Sequence, residues 1–352
     1  MQINKGQLRL TPRWRGVQFH FKRGRGHLWK YLKNRFQWHV YPRLRHLTKF
    51  PMHVDLELSS ACDMRCPMCY TTTAEFKAKV EHTIMKDDLF KRLVDECSRR
   101  GAYSIRLSLR GEPFVHPRFV ELARYAKERG IPEVSSLTNG LKLNPELFEQ
   151  LVDIGMDWLT ISFDGWGETY NRIRKPAIFE EAYEKIRAYH EIKQRKGATK
   201  PAIKIQSVWP AISENPKKFY DLFNGIADLV ATNPLIDYLH KDGRIEYIEN
   251  FTCPVLWQRL AVGADGQVMF CSNDEYNECI VGNANTESLY DIWHGEKLEA
   301  AREIHLRHQG VDKLIPCKKC YYPRKTVKDQ GHIGKRTVIV ENYSGRVQEI
   351  GK

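Results

Sequence analysis

Nine cysteines are the residues of this 352-residue chain best suited to chemistry, and all but Cys97 fall in two groups. The first group reads Ser60-Ala61-Cys62-Asp63-Met64-Arg65-Cys66-Pro67-Met68-Cys69-Tyr70, a C-x3-C-x2-C spacing. A loop of that length can wrap three thiolates around one corner of an iron–sulfur cube. Three protein ligands for four irons leave one iron open to a substrate or cofactor. A zinc knuckle would need a fourth ligand close by, and the nearest histidines, His53 and His82, stand outside the loop. The second group contains Cys253, Cys271, Cys317 and Cys320, spaced by 18, 46 and 3. Four thiolates would saturate a second cluster and suit it to electron transfer; the same set also makes an ordinary structural zinc site. Cys97 reads as a core thiol, and Cys279 as a substitute ligand, a substrate-side group or a core thiol. An odd cysteine count in a chain this long argues against a disulfide framework.

The elements around these groups alternate in type. Strands are predicted over 53–58, 104–109, 133–138, 158–163, 202–208 and 228–233, and helices over 84–99, 117–129, 145–154, 178–194 and 214–227. Such alternation implies parallel strands joined by helical crossovers, and six units make most of a (β/α) barrel. Active sites on such sheets collect at the C-terminal strand ends. The cysteine loop follows the first strand directly. After about residue 240 the pattern changes to a β-hairpin, 259–263 and 267–271 around Ala264-Asp265-Gly266, then a helix over 288–307 and the Cys317–Cys320 pair. The expected fold class is α/β, a partial (β/α)6 TIM-like barrel followed by a small α+β module. The expected units are an N-terminal arm (1–50), the barrel (51–240), the cysteine module (241–327) and a loosely attached polar tail (328–352).

The spacing C-x3-C-x2-C, followed by an aromatic residue (Tyr70) and placed after a first barrel strand, resembles the signature of the radical S-adenosylmethionine (SAM) superfamily. The resemblance implies that Cys62, Cys66 and Cys69 hold a [4Fe–4S] cluster whose open iron chelates SAM. It further implies that electrons from a partner such as flavodoxin or ferredoxin cleave SAM to a 5′-deoxyadenosyl radical, which abstracts a substrate hydrogen. Further segments resemble the family at successive strand ends. Gly111-Glu112-Pro113 is similar to its GGEP motif, which holds the SAM amino group, although Arg110 stands in place of the first glycine. Thr138-Asn139 would meet the ribose or methionine part. Ser162 and Asp164 would meet the SAM carboxylate, as would Arg174, whose guanidinium fork matches a carboxylate. The late cysteines with Gly266-x4-Cys271, Gly282-Asn283-Ala284, Ile292-Trp293 and Arg302 resemble the twitch module, the short form of a SPASM domain. No cysteine follows Cys320, so one auxiliary [4Fe–4S] cluster is implied. The spacing comes nearest to that of butirosin-type aminocyclitol dehydrogenases, in which an alcohol radical loses a proton and passes its electron to the auxiliary cluster. The resemblance spans roughly residues 50–323.

The formal net charge of +13 is confined to one place. Residues 1–50 hold 13 Lys and Arg and no Asp or Glu, and the rest of the chain balances 43 basic against 43 acidic residues. The arm interleaves aromatics with its charges (Trp14, Phe19, Phe21, Trp29, Tyr31, Phe36, Trp38, Tyr41). Such an arm suits an anionic surface: nucleic acid, lipid headgroups or a phosphate-bearing substrate. The plainer reading packs the aromatics on the body and leaves the charges solvated. No secretory signal or membrane-length apolar run is visible, so a cytoplasmic location is expected.

The leading functional reading is a radical SAM oxidoreductase that oxidises an alcohol of a carbohydrate-like or aminocyclitol-like substrate, the auxiliary cluster taking the electron. Alternatives are a sugar epimerase or dehydratase, a peptide- or protein-modifying SPASM enzyme, and a non-enzymatic iron–sulfur or zinc scaffold with a nucleic-acid- or membrane-binding arm. Oxidation requires a general base. Asp164, Lys204, Gln206, Lys241 and Arg244 all fall near the expected mouth, and the sequence does not choose among them.

Overall fold

A computed structural model of the chain describes residues 8–239, 241 and 245–351; Arg244, the first seven residues of the arm and Lys352 lie outside that range. The chain opens with β1 (Leu8–Arg9) and two helices, α1 (Arg13–Gly24) and α2 (Leu28–Val40). Six strands then alternate with helices: β2 (His53–Leu56), β3 (Ser104–Arg106), β4 (Glu133–Thr138), β5 (Trp158–Ser162), β6 (Ala202–Val208) and β7 (Leu229–Asn233). These six pair in parallel in chain order, as the alternation predicted. The helices between them are α3 (Ala74–Lys79), α4 (Asp87–Arg100), α5 (Phe119–Glu128), α6 (Pro145–Asp153), α7 (Gly167–Ile173), α8 (Phe179–Arg195) and α9 (Pro216–Phe223). In α4, Leu89, Phe90, Leu93, Val94 and Cys97 recur at helical spacing and are buried. Asp87 and Asp88 at its start and Arg99 and Arg100 at its end suit the helix dipole, and Gly101 closes it at φ 78°.

The late module continues the barrel sheet. β8 (Arg259–Val262) lies parallel to β2, then β9 (Gln267–Met269) and β10 (Ile280–Asn283) follow antiparallel. The turn between β8 and β9 uses Gly266 at φ 88°, a conformation that favours glycine. The helix expected over 288–307 is two helices, Leu289–Trp293 and Glu296–Leu306. Arg302 explains the break. Its guanidinium is buried and donates to the freed carbonyl of Trp293 (2.9 Å) and to that of Leu256 (3.1 Å), which needs the chain to bend at Gly295.

The tail expected over 328–352 is corrected by a hairpin, β11 (Thr326–Ile333) and β12 (Arg336–Tyr343), turning at Gly334-Lys335. Val338, Val340 and Asn342 alternate inward while Ile339 and Glu341 face out. The hairpin is anchored where Trp209 donates to Asp329 (2.7 Å) and Arg336 donates to the Leu10 carbonyl. Beyond it, Gly351 reaches the Pro67 ring in the cysteine loop, and its carbonyl accepts from Lys241 (3.1 Å).

The arm closes the floor of the barrel. Phe19 packs on Trp158, Ala202 and Leu229, the first residues of β5, β6 and β7. Arg23 pairs with Glu133, the first residue of β4 (2.7 Å), and Trp38 meets His53, the first of β2. Phe19, Tyr31 and Trp38 therefore pack on the body, whereas Trp14, Phe21, Trp29 and Phe36 stay exposed. The floor lies at the opposite end of the strands from the cysteine loop, so α1 and α2 do not line the mouth. Among the described residues, no helix is long and apolar enough to cross a membrane.

One buried ion pair joins barrel and module. Glu57 has no exposed surface, and Arg110 clasps it with Nε (2.8 Å) and Nη2 (2.5 Å). Glu57 also accepts from the Ala264 amide (3.1 Å), and Arg110 reaches Asn277 (2.6 Å), both in the late module. Arg110→Met should cost about 3–5 kcal/mol in denaturant unfolding, because it leaves Glu57 buried without its partner. The double substitution Glu57→Met/Arg110→Met should recover a large part of that loss.

Candidate active site

The first cysteine group sits on the rim formed by the C-terminal ends of the parallel strands. Its entry is braced from the far side: Ser60 donates to the Glu81 carbonyl (2.7 Å), Thr83 donates back to the Ser60 hydroxyl (2.9 Å), and Ser59 bridges Ile84. This extended pairing explains why α4 starts at Asp87 rather than at residue 84. On the near side the exit of β3 lies against the loop backbone, with the Glu112 amide donating to the Ala61 carbonyl (2.9 Å). A Cβ on Gly111 would stand 2.4 Å from that carbonyl and 2.5 Å from that of Ser59. Only glycine permits this approach.

Most of the expected SAM-site residues converge here. Glu112 is buried and accepts from the Thr138 hydroxyl (2.6 Å), the Asn139 amide (2.7 Å) and the Phe114 amide (3.2 Å). Burial pushes its carboxyl up to about 7 against the pull of those donors. Pro113 opens a short turn that carries the chain off the rim. The Asn139 side chain donates to Asp63 (2.7 Å) and stands 3.8 Å from the Cys62 sulfur. Ser162 ends β5 in register with Gln206. Arg174 brings Nη1 within 3.9 Å of the Cys66 sulfur.

Asp164 lies against Arg174. It is fully buried, pairs with Arg174 (2.5 Å) and accepts from the Val208 amide (2.8 Å). It therefore aims the guanidinium; a second carboxylate brought against it would be repelled. Of the other suggested bases, Lys204, Gln206 and Lys241 are also committed. Lys204 donates to Gln206, and Lys241 to the Gly351 carbonyl. Tyr70 is buried against Phe76, Tyr238 and Tyr276, the last from the late module.

The loop fits an iron–sulfur cluster with an open iron. Three sulfurs lie on one short loop beside an arginine and an asparagine that can donate to them. Burial pushes the Cys62 thiol up to about 12 and raises Cys66. Thiols so held are inert until a metal displaces their protons.

Four of the late cysteines are brought together in a second place. Cys253, Cys271, Cys317 and Cys320 line one small pocket whose other walls include Phe251, Leu256 and Phe270. Burial, then the neighbouring thiolates, raise Cys271 far above the ordinary thiol range. That repulsion is what a bound cationic centre would relieve. The sulfurs are met by donors: the Asn273 side chain on Cys320 (3.3 Å), the Asn273 amide on Cys271 (3.4 Å) and the Tyr322 amide on Cys320 (3.4 Å). His305 Nδ1 faces the Cys253 amide (3.4 Å), which leaves the proton on Nε2, 3.4 Å from the Cys317 sulfur. Cys279 is not among the residues lining this cavity.

Sequence reasoning missed Asn273, His305 and Glu275. The charge of Glu275 acts on both Tyr70 and Cys320, and burial pushes its carboxyl up to about 8. No spacing marked these residues; the run Ser272-Asn273-Asp274-Glu275 after Cys271 was the one compositional hint.

Comparison with known proteins agrees with this geometry. Residues 56–201 match the model of the radical SAM superfamily, and residues 253–321 match that of the SPASM iron–sulfur cluster-binding domain. The chain is similar to the tungsten-containing aldehyde ferredoxin oxidoreductase cofactor-modifying protein of Pyrococcus furiosus, 27% identical over 69% of this chain and 80% of that one. It is 33% identical to the AdoMet-dependent heme synthase of Methanosarcina barkeri over 136 residues, 38% of each chain. The fold resembles the crystal structure of BtrN in complex with AdoMet and 2-DOIA, with TM-score 0.53 and 20% identity over 77% of this chain and 93% of that one. The chain carries a radical SAM domain and a C-terminal SPASM iron–sulfur domain, which imply [4Fe–4S] clusters and SAM as its cofactors.

Proposed function

We propose that the chain is a cytoplasmic radical SAM dehydrogenase that oxidises an alcohol of a carbohydrate-like or aminocyclitol-like substrate to a ketone. The single observation that carries the reading is the pocket that gathers Cys253, Cys271, Cys317 and Cys320, with the carboxylates Asp274 and Glu275 following shortly after Cys271 in the chain. In this reading Cys62, Cys66 and Cys69 hold the SAM cluster, with Tyr70 packed behind it. Gly111, Glu112 and Pro113 shape the pocket for the SAM amino group, Thr138 and Asn139 border the ribose or methionine part, and Ser162 and Arg174 face the SAM carboxylate. Asp164 positions Arg174. When bound, the reduced cluster and SAM supply a 5′-deoxyadenosyl radical that removes one hydrogen atom from the substrate carbinol. Glu275 would be the group to accept the hydroxyl proton, and Cys253, Cys271, Cys317 and Cys320 would hold the centre that accepts the remaining electron. Methionine and 5′-deoxyadenosine would be the products of SAM, and a small reductant such as flavodoxin or ferredoxin would supply the starting electron. Asn273 and His305 aim donors at the auxiliary sulfurs, which favours the reduced state of that centre.

A second reading keeps the same residues and changes the substrate to an organic cofactor or a peptide. The Pyrococcus relative, named as a cofactor-modifying protein, favours it.

Reductive assays under anaerobic conditions separate these readings. Incubation with SAM, dithionite and a panel of aminocyclitols and sugars should give 5′-deoxyadenosine and a product about two mass units lighter than its substrate. Cys317→Ala/Cys320→Ala should keep 5′-deoxyadenosine formation and lose the ketone, and Glu275→Gln should slow ketone formation about a hundredfold with SAM cleavage retained. A ketone formed at the unaltered rate by the cysteine variant would overturn the proposal. Product of unchanged mass would point to epimerisation, and turnover of a peptide or organic cofactor alone would favour the second reading. Separately, Gly111→Ala should lower reconstituted iron from about eight to about four per chain, because the new Cβ displaces the cysteine loop.

A further inference from the structure

The inner face of the arm is accounted for by the barrel floor; its outer face is not. Trp14, Val17 and Phe21 on α1 and Trp29, Leu32 and Phe36 on α2 all point outward, with Trp29 83% exposed and Trp14 and Phe21 each 60% exposed. Both helices repeat one spacing, Trp-x2-aliphatic-x3-Phe, which sets the three residues of each on a single stripe. Leu28 and Leu44 extend the exposed apolar surface, so eight of the fourteen large hydrophobics exposed among the described residues lie between residues 14 and 44. A helix on a barrel floor ordinarily shows water its polar face. These two show water an apolar one.

Cations surround the stripes. Arg13, Lys30, Lys33, Arg43, Arg45 and Lys49 are all exposed, and no ion pair to any of them occurs among the described residues. The cations that turn inward are used differently: Arg23 pairs with Glu133, and Lys22 with Asp228. The arm contains no acidic residue at all. Its outer surface is thus uniformly cationic and studded with Trp, Phe and aliphatic side chains.

We infer that this face docks the protein on an anionic lipid bilayer. Aromatic and aliphatic side chains between Lys and Arg are what a helix lying in the headgroup plane requires. The apolar stripe enters the acyl boundary while the cations meet lipid phosphates. At 12 and 13 residues, α1 and α2 are too short to span and are suited to lie flat. Nucleic acid would satisfy the cations and leave Val17, Leu32 and Leu44 with nothing to cover them. A second copy of the chain would bring the same positive charge to a self-complementary contact and be repelled. The placement has a consequence for access. Docked by its floor, the protein turns the cysteine rim away from the bilayer, so its substrate comes from the aqueous side.

Vesicle flotation of the full-length, reconstituted protein tests this. The probes are vesicles of phosphatidylcholine alone and of phosphatidylcholine with about one-third phosphatidylserine. The expected result is binding to the anionic vesicles at least about tenfold above that to neutral ones, with a blue-shifted tryptophan emission. Trp14→Ser/Phe21→Ser/Trp29→Ser/Phe36→Ser should lower that binding about tenfold or more while iron content and thermal melting stay unchanged. These side chains are solvent-exposed, so the variant tests docking rather than folding, and flotation of the unaltered protein stands on its own if the variant misfolds. Failure of the unaltered protein to float with anionic vesicles overturns the inference. So does binding that survives the serine substitutions, tight binding to duplex nucleic acid in place of vesicles, or a dimer in solution that the same substitutions dissociate.

Discussion

A carboxylate with no exposed surface, Glu57, stands where the first barrel strand gives way to the cysteine loop, and the geometry of the site depends on how it is neutralised. Four donors meet it: the Arg110 amide, Nε and Nη2, and the Ala264 amide. They arrive from the exit of β3 and from the β8–β9 turn, segments 53 and 207 residues away in sequence. A buried anion tolerates no missing partner, because its desolvation is recovered only when every lone pair is met. The contact therefore fixes three things together: the start of the cysteine loop, the Gly-Glu-Pro turn and the entry of the iron–sulfur module. Arg110 is thus the clasp between barrel and module.

From that anchor the site builds by backbone contact more than by side-chain reach. Gly111 lets the exit of β3 touch the cysteine loop, and Glu112 then gathers the exit of β4 through Thr138 and Asn139. Asp164 holds Arg174 toward Cys66 from the exit of β5. Each strand end is thus tied to its neighbour, and the thiols are presented on a rigid rim. The same logic shapes the late module, where the bent helix pair is held by Arg302 and His305 is kept against Gly310, on which a Cβ would strike the imidazole at 2.2 Å.

Much of this was legible in the sequence because it is local. The cysteine spacings, the strand and helix alternation and the glycine of the β8–β9 turn are all written within a few residues of one another. What was hidden depends on distant partners. The extended pairing of Ile84 with Ser59 overrode a helical pattern, and the break at Gly295 answers to a guanidinium seven residues on. The hairpin β11–β12 was masked by polar composition, although Gly334-Lys335 between alternating residues was signal enough to find it. The arm's charge was plain, but its two-sided helices could not be assigned without the barrel floor they cover. Glu275 and His305 carry no spacing signal; they are visible only once the two cysteine groups are placed in space.

The proposed chemistry requires two iron–sulfur centres of different kinds, one with an iron open to SAM and one closed by four thiolates. Mössbauer spectroscopy of the protein reconstituted with ⁵⁷Fe, with and without SAM, tests this most directly. The predicted result is about eight irons per chain in two [4Fe–4S] centres, with SAM shifting one iron of one centre and leaving the other unchanged. About four irons with zinc in the late site, or spectra that SAM leaves unaltered, would contradict it.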